Sequence, residues 1–482
     1  MDKVFARVNS TQTSIGEEYL YSMLREIVFS SEDLNNRNRI IEFFQENPDE
    51  RERIQFILAR MGKKRFCNIS DYIFGNQNGI LRNSIIYKIL SMIFILSPFL
   101  ALVNKFGISL FFISMITNVI MYIKVRGEIV GHLESLGYIV NMISASKRIA
   151  KVRIRVLSKH LDVLGGVTRR IKGISISSFY MIFYTTENYL LEFIKIFFLG
   201  EPIAFDSIFK LIKKYRAELE VIYEVLGMLD SNIAVASYRQ SIDYYIVPDL
   251  FKSMGMIENT LDFTDIYHPL ISSPVVNSFK TDRSILITGS NASGKSTFLK
   301  TVAINAIFAQ TIFTCLAKEY KSCYFKTLSS MALKDDLLSN ESYYIVEIKS
   351  LKRILENLND DTPCLCIIDE VLRGTNTVER IAASSEILYY LGKNNCICLS
   401  ATHDIELASI LETHFNNYHF QEQFLENKIT FDYKLYTGKS YTRNAIKLLS
   451  MIGYNLDIVT KADERAKYFL KSGTWGKYND VK

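Results

Sequence analysis

Proline and tryptophan are scarce in this chain: seven prolines and one tryptophan in 482 residues. No internal repeat and no long low-complexity linker is evident, which excludes a solenoid or a disordered spacer. No cleavable signal sequence is expected, because Met1-Asp-Lys-Val runs into polar residues. Cysteine is also sparse, at seven. Four of the seven form two Cys-x-Cys pairs, Cys364 with Cys366 and Cys396 with Cys398. Both pairs fall in apolar runs that read as buried strands, where alternate residues share a face. Core packing explains them; zinc binding would need accessible thiolates in turn geometry. Reduced, cytosolic cysteines are the expectation. Net charge is +6, too small by itself to name a partner. The length allows two or three domains with proper cores.

What is present is more specific. The short apolar strand Ile285-Leu-Ile-Thr288 leads into Gly289, Ser290, Asn291, Ala292, Ser293, Gly294, Lys295, Ser296 and Thr297, and then into a helical pattern. This is Gly-x-x-x-x-Gly-Lys-Ser in the strand–loop–helix context that a P-loop requires. The glycines let the backbone curl so that its N–H groups face phosphate oxygens. The helix that follows offers its positive N-terminal end to the same anion. Lys295 can reach the β- and γ-phosphates of ATP, and the Ser296 hydroxyl can ligate Mg²⁺. Downstream, Cys364-Leu-Cys-Ile-Ile-Asp369-Glu370 is an apolar strand ending in two carboxylates. In this order it reads as a Walker B strand: Asp369 holds Mg²⁺, and Glu370 polarises the attacking water. Arg373-Gly374-Thr375-Asn376 is a tight turn. A second apolar strand, from Cys396, ends in Ser400-Ala-Thr-His403-Asp404. His403 there can hydrogen-bond the γ-phosphate or the lytic water.

Together these segments resemble the ATPase domain of the MutS family of DNA mismatch-repair proteins. Thr288 to Thr297, Asp369 to Thr375 and Ala401 to His403 fit that family's motifs. Lys334-Asp-Asp-Leu337 and Ser342-Tyr-Tyr-Ile-Val-Glu347 resemble two further family segments. The resemblance implies that Ser342 reaches across a dimer to the partner's nucleotide. It also implies that Asp265 to Leu270 lies near the adenine, which makes Tyr267 and His268 nucleotide-binding candidates. Leu372 departs from the pattern, since the family usually has glycine there. The transporter signature Leu-Ser-Gly-Gly-Gln is absent. Asn9 to Leu20 resembles the start of the family's helical core, and Glu220 to Pro248 resembles its end. On this resemblance the family's mismatch-reading and connector domains are expected to be absent.

Two apolar runs, Ile85 to Val103 and Ile108 to Ile123, flank the turn Asn104-Lys-Phe-Gly107. Each approaches the ~20 residues that a bilayer core requires. Lys63, Lys64, Arg65 and Arg82 precede the pair, and Lys124 and Arg126 follow it. The positive-inside rule puts both flanks, and hence the ATPase domain, in the cytoplasm. A buried helical hairpin is the alternative. A third apolar stretch, Ile174 to Leu199, contains Glu187, Glu192 and Lys195 and reads as an amphipathic or core helix. Lys147, Arg148, Lys151, Arg153, Arg155, Lys159, Arg169, Arg170 and Lys172 form a basic segment with Asp162 as its only acid. DNA phosphates, anionic headgroups and a solvated helix face all remain open for it. Ile149, Val152, Val156 and Leu157 suggest a helix with one packed face.

The expected fold is a mainly α-helical core and lever domain followed by an α/β P-loop NTPase domain of the ABC-like, MutS type. The expected boundaries are 1–84 for the first part of the core, 85–123 for a transmembrane hairpin, 124–250 for the lever and 251–482 for the ATPase domain. The expected protein is a membrane-tethered homodimer that binds and hydrolyses ATP with Mg²⁺ and binds DNA. The alternative is a nucleotide-driven membrane switch that never touches DNA.

Overall fold

A computed structural model describes residues 2–64, 69–75, 84–171, 189–253, 259–290, 293–331, 343–358, 361–425, 428–439 and 445–476. Asn291, Ala292, the 334–337 segment, Ser342 and residues 174–188 of the third apolar stretch lie outside the described residues.

The first half of the chain is helical. It comprises α1 (Asp2–Val8), α2 (Ser14–Met23), α3 (Ser31–Glu46), α4 (Pro48–Ala59), α5 (Ile69–Ile73), α6 (Ser84–Val103), α7 (Phe106–Ile149), α8 (Ser158–Arg170), α9 (Tyr189–Phe197), α10 (Gly200–Lys214) and α11 (Arg216–Gln240). Thr13 caps α2 by accepting from the Gly16 N–H. The same corner is docked onto α11: the buried Asp230 carboxylate accepts from the N–H groups of Gln12 and Thr13 at 3.0 and 2.9 Å. Segments more than two hundred residues apart thus close one helical core.

α6 and α7 form the apolar hairpin. Phe94 stacks on Phe111 across it, with ring centroids 5.2 Å apart. Most other apolar side chains of the pair face outward; Leu102 is 85% exposed. Ile85–Val103 and Phe106–Ile129 are each long and apolar enough to cross a membrane. The second apolar run, Ile108 to Ile123, is the first part of a longer helix. α7 continues unbroken for 44 residues to Ile149, because neither Pro nor a capping glycine interrupts it. The expectation of a helix with one packed face through Ile149, Val152, Val156 and Leu157 is corrected. After Ile149 the chain turns, and a single 3₁₀ turn, Arg155–Leu157, precedes α8. Val156, expected on a packed face, is 44% exposed.

The second half alternates strands and helices: β1 (Asp249–Phe251), β2 (Leu261–Ile266), β3 (Asn277–Thr281), β4 (Ser284–Thr288), α12 (Lys295–Thr311), β5 (Glu319–Cys323), β6 (Lys326–Ser330), α13 (Tyr343–Glu356), β7 (Cys364–Asp369), α14 (Thr377–Lys393), β8 (Cys396–Ala401), α15 (Ile405–Ile410), β9 (Phe415–Leu425), β10 (Lys428–Thr437), α16 (Ala445–Ile452) and α17 (Leu456–Ser472). One sheet has the order β1-β5-β2-β3. The other has the order β10-β9-β4-β8-β7-β6 and is parallel except for the β9–β10 pair. Its central strands read as unbroken apolar runs because helices cover both faces. The four cysteines of the Cys-x-Cys pairs sit in register on β7 and β8, Cys364 beside Cys396 and Cys366 beside Cys398, all buried.

α12 is buried on most of its circumference. Phe298, Leu299 and Val302 pack on the sheet, whereas Ile304 and Phe308 belong to the helical core. A helix apolar on all sides bridges two cores rather than facing solvent. Arg239 of α11 locks that junction. It is 2% exposed and donates to the Thr314 hydroxyl at 2.9 Å and the Phe313 carbonyl at 2.8 Å.

Candidate functional site

Strand register brings the sequence motifs together. Asp369 of β7 lies beside Ala401 of β8, and Ala401 lies beside Ile287 of β4. All three strands therefore end at one edge of the sheet. The loop after β4, the turn after β7 and the segment after β8 emerge side by side there, where open α/β sheets hold ligands.

The loop after β4 is shaped by Gly289 (φ 143°) and Gly294 (φ 108°), both in a region that side chains avoid. A Cβ on Gly289 would come within 2.7 Å of the Phe420 carbonyl oxygen. Gly294 leads into α12, so Lys295 and Ser296 occupy its first turn. The buried Lys295 ammonium folds back on the loop, donating to the carbonyls of Gly289 at 2.5 Å and Ser290 at 2.8 Å. Desolvation pulls its pKa down to about 8, against the opposing pull of Glu370 and Asp369. This is an under-compensated cation at a helix N-terminus, two features that favour an anion.

Glu370 sits one residue past β7 with φ 63°. Its carboxylate faces His403, whose Nε2 is 2.9 Å from Oε1, while Arg373 pairs with the other oxygen. Burial pushes the Glu370 carboxyl up, but the His403 and Arg373 contacts outweigh it and hold the pKa at about 2. His403 Nε2 is also 3.4 Å from the Lys295 ammonium. Lys295, Glu370 and His403 thus form one contiguous polar cluster. Two buried oxygens beside it have no hydrogen-bond partner among the described residues, Oδ1 of Asp369 and Oγ of Ser293. A buried acceptor left unpaired in this way is costly unless something else engages it.

A cavity of about 500 Å³ opens over this cluster, within the range of small-molecule sites. Ser290, Gly294, Lys295, Ser296 and Thr297 line one end, together with Glu370. Tyr267 and His268 line the other, with Pro274 and Val275. The Tyr267 hydroxyl is engaged by the Tyr244 carbonyl at 2.6 Å, so its ring rather than its hydroxyl faces the cavity. Burial, and then Lys300, lower the His268 pKa.

Tyr433 of the lining and some residues behind the site carried no sequence signal. Tyr433 is brought over the loop by a register shift between Phe431 and Leu435, and its ring would lie 3.1 Å from a Cβ on Gly294. Asn305, buried in α12, donates to the Tyr267 carbonyl at 3.2 Å and accepts from the Leu316 N–H at 2.6 Å. Arg380 and Asp404 form a two-pronged ion pair at 2.9 and 2.6 Å, flanking His403. Leu372 stands where the resembled family has glycine. It adopts φ 58°, a left-handed conformation that costs an L-residue about 1–2 kcal/mol. Its side chain is 4% exposed, and burying a leucine contributes about 1.5–3 kcal/mol, enough to offset that strain.

Comparison with known proteins now bears on this site. The family model described as MutS domain V matches residues 285–470, a range that contains the loop after β4, Asp369, Glu370 and His403. The chain thus carries a region similar to MutS domain V. It is 31% identical over 290 residues to MutS protein homolog 4 of Homo sapiens, covering 52% of this chain and 31% of that protein. It is 27% identical over 281 residues to the DNA mismatch repair protein MutS of Thermotoga maritima, covering 56% of this chain and 34% of that one. MutS of Methanosarcina barkeri is 25% identical over 294 residues, 58% of this chain and 32% of its own length. The match to these MutS relatives therefore spans about a third of their length.

Proposed function

We propose that this MutS-like chain binds and hydrolyses ATP with Mg²⁺ as a homodimer, engages DNA, and is tethered to a membrane by residues 85–123. In this reading residues 1–84 and 124–250 form the helical core and lever, and residues 251–482 form the ATPase domain. The observation that carries it is the Lys295–Glu370–His403 cluster at one end of a nucleotide-sized cavity.

The residues fit the metal. The Oδ1 of Asp369, unpartnered among the described residues, and the Ser296 hydroxyl, both at the phosphate end, are hard oxygen donors of the type Mg²⁺ takes alongside substrate phosphates. When bound, Mg²⁺ neutralises charge developing on the phosphoryl oxygens. Lys295 leaves the loop carbonyls for the β- and γ-phosphates, and the N–H groups of the 289–295 loop receive the rest of that charge. Glu370, ionised well below neutral pH, orients the water that attacks the γ-phosphorus. His403 bridges Glu370 and the γ-phosphate and registers its loss. Tyr267, His268 and Tyr433 close around the base and sugar. Ser342 of a second copy completes each site.

The basic segment favours nucleic acid over headgroups. Eight of its cations, from Lys147 to Arg170, are exposed. α7 runs without a break from the apolar hairpin to Ile149. The stretch from Ile129 to Ile149 is about 20 residues, or ~30 Å of helix. That is several times the ~8 Å Debye length in physiological salt, so headgroups at the hairpin's base are screened from these charges. A DNA backbone approaching the lever is not.

The test is steady-state ATPase activity in nanodiscs with no DNA, homoduplex, mismatched duplex or four-way junction, across a salt series. Glu370→Gln controls for contaminating activity. Salt-sensitive stimulation by a DNA is the expected result. Hydrolysis indifferent to every DNA transfers the assignment to a nucleotide-driven membrane switch.

A further inference from the structure

The turn that carries Glu370 is not self-supporting. Glu370 (φ 63°) and Leu372 (φ 58°), neither of them glycine, are both left-handed within three residues. Such strain persists only where the surroundings over-determine it. The restraint comes from α13. Glu347 of that helix is 2% exposed, and its carboxylate accepts from the backbone N–H of Leu372 at 2.7 Å and of Arg373 at 3.1 Å. One ionised acceptor thus spans two consecutive donors of the strained turn, the stronger class of hydrogen bond. A second contact presses the turn onto the same helix: a Cβ on Gly374 would come within 2.9 Å of the Tyr344 Cβ. Leu372 and Arg373 directly follow the segment that aims Glu370 at His403.

We infer that Glu347 is a positioning residue for hydrolysis, holding the 370–373 turn so that the Glu370 carboxylate meets the lytic water, without itself touching nucleotide. This rests on the ATPase reading above. It predicts a split between binding and turnover. Lys295 and the 289–295 loop hold the phosphates, whereas Glu347 is bonded to the turn. The water-orienting carboxylate depends on it directly.

The experiment compares wild type, Glu347→Gln, Leu351→Ala and Glu370→Gln for ATP affinity, kcat per folded molecule and melting temperature. Leu351 is buried on the same helix but makes none of these hydrogen bonds, so Leu351→Ala loosens α13 without unpinning the turn. Glu347→Gln replaces one acceptor oxygen with an N–H donor facing another donor. Its kcat should fall ~10- to 100-fold, the scale of a sub-ångström to ångström misplacement of a reacting group, with ATP affinity within about threefold of wild type. Leu351→Ala should keep kcat within about threefold while its melting temperature falls. Unchanged kcat in Glu347→Gln, or an equal loss in both variants, overturns the inference. Should Glu347→Gln not fold, Glu347→Asp carries the same test, because it keeps the charge and withdraws the carboxylate by one methylene. A wild-type rate no higher than that of Glu370→Gln removes the hydrolase reading itself. Wild-type turnover with an unaffected Glu347→Gln removes only this inference.

Discussion

Lys295→Met should make the nucleotide-free protein less sensitive to pH while abolishing its response to ATP. Desolvation lowers the Lys295 pKa from 10.5 to about 8 in the folded chain. At 1.36 kcal/mol per unit, the buried ammonium costs the fold up to ~3 kcal/mol. The sign follows from linkage. Between pH 8 and 10.5 the unfolded lysine stays protonated while the folded one has lost its proton, so stability rises with pH across that window. The penalty is fully present below pH 8 and fades as the pH climbs toward 10.5. From pH 7 to pH 9.5 the wild type should gain about 2 kcal/mol relative to Lys295→Met, in which the methionine cannot titrate and other groups cancel. The assay is urea unfolding of both proteins in detergent at a series of pH values, followed by a signal from the α/β half. A difference between the two that stays flat from pH 7 to 9.5 would refute the reasoning, because Lys295 would then not be desolvated. Added Mg-ATP should stabilise the wild type and leave Lys295→Met unmoved, since the phosphates supply counter-charge to the Lys295 ammonium.

Other outcomes can be stated more briefly. Glu370→Gln should retain ATP and lose ~10²- to 10⁴-fold in kcat, measured in single turnovers; normal turnover would sink the assignment of Glu370. With its carboxyl held at about 2, Glu370 should give no acidic limb to the pH–rate profile above about pH 4; a limb near pH 6 that vanishes in Glu370→Gln would contradict this. Arg239→Met leaves the Phe313 carbonyl and the Thr314 hydroxyl oxygen without the donor Arg239 supplies and should cost ~2–4 kcal/mol, read as a lower urea midpoint. Charge reversal at Arg153 and Arg155 should weaken DNA binding and flatten its salt dependence while leaving liposome association unchanged. The reverse pattern would return the basic segment to the membrane.

Contiguous signals were readable from the chain, and signals assembled by folding were not. The loop from Gly289 to Thr297 carries its own geometry, since two glycines, a lysine and a following helix fall within nine residues. The strands ending at Asp369 and Ala401 were visible as apolar runs stopped by polar residues. Their adjacency, β7 beside β8 beside β4, is a fact of register that no local pattern states. Tyr433 reaches the loop only through an irregularity in the β9–β10 pair, and Asn305 matters only because α12 is buried on the side it faces. Leu372 was noticed as an oddity, and its left-handed backbone gives the physical reason why glycine suits that place. In the basic segment the apolar spacing was misread as a helix with one packed face. Residues 151–154 alternate exposed and buried side chains, and over so few residues the two periods look alike.

The helix after the loop also explains how a site at one sheet edge can influence a hairpin far from it. Lys295 opens α12, and one face of the far end of that helix, with Phe308, packs in the helical core. Phe308 meets the Tyr238 ring with centroids 6.1 Å apart, and the residues after the helix end are held by Arg239. α11, which carries both Tyr238 and Arg239, packs in the same core as α7, the helix that continues into the apolar hairpin. Under the proposed function, a displacement of Lys295 toward phosphate would act on a rod whose other end is packed in the helical core. Packed interiors deform little, so such a rod transmits motion rather than absorbing it. The glycines of the loop lie on the nucleotide side of the rod, and the hairpin lies beyond its anchored end. Under the proposed function, reshaping of the loop by nucleotide would be local, while the helix it leads into would carry the change to the helical core as a rigid element.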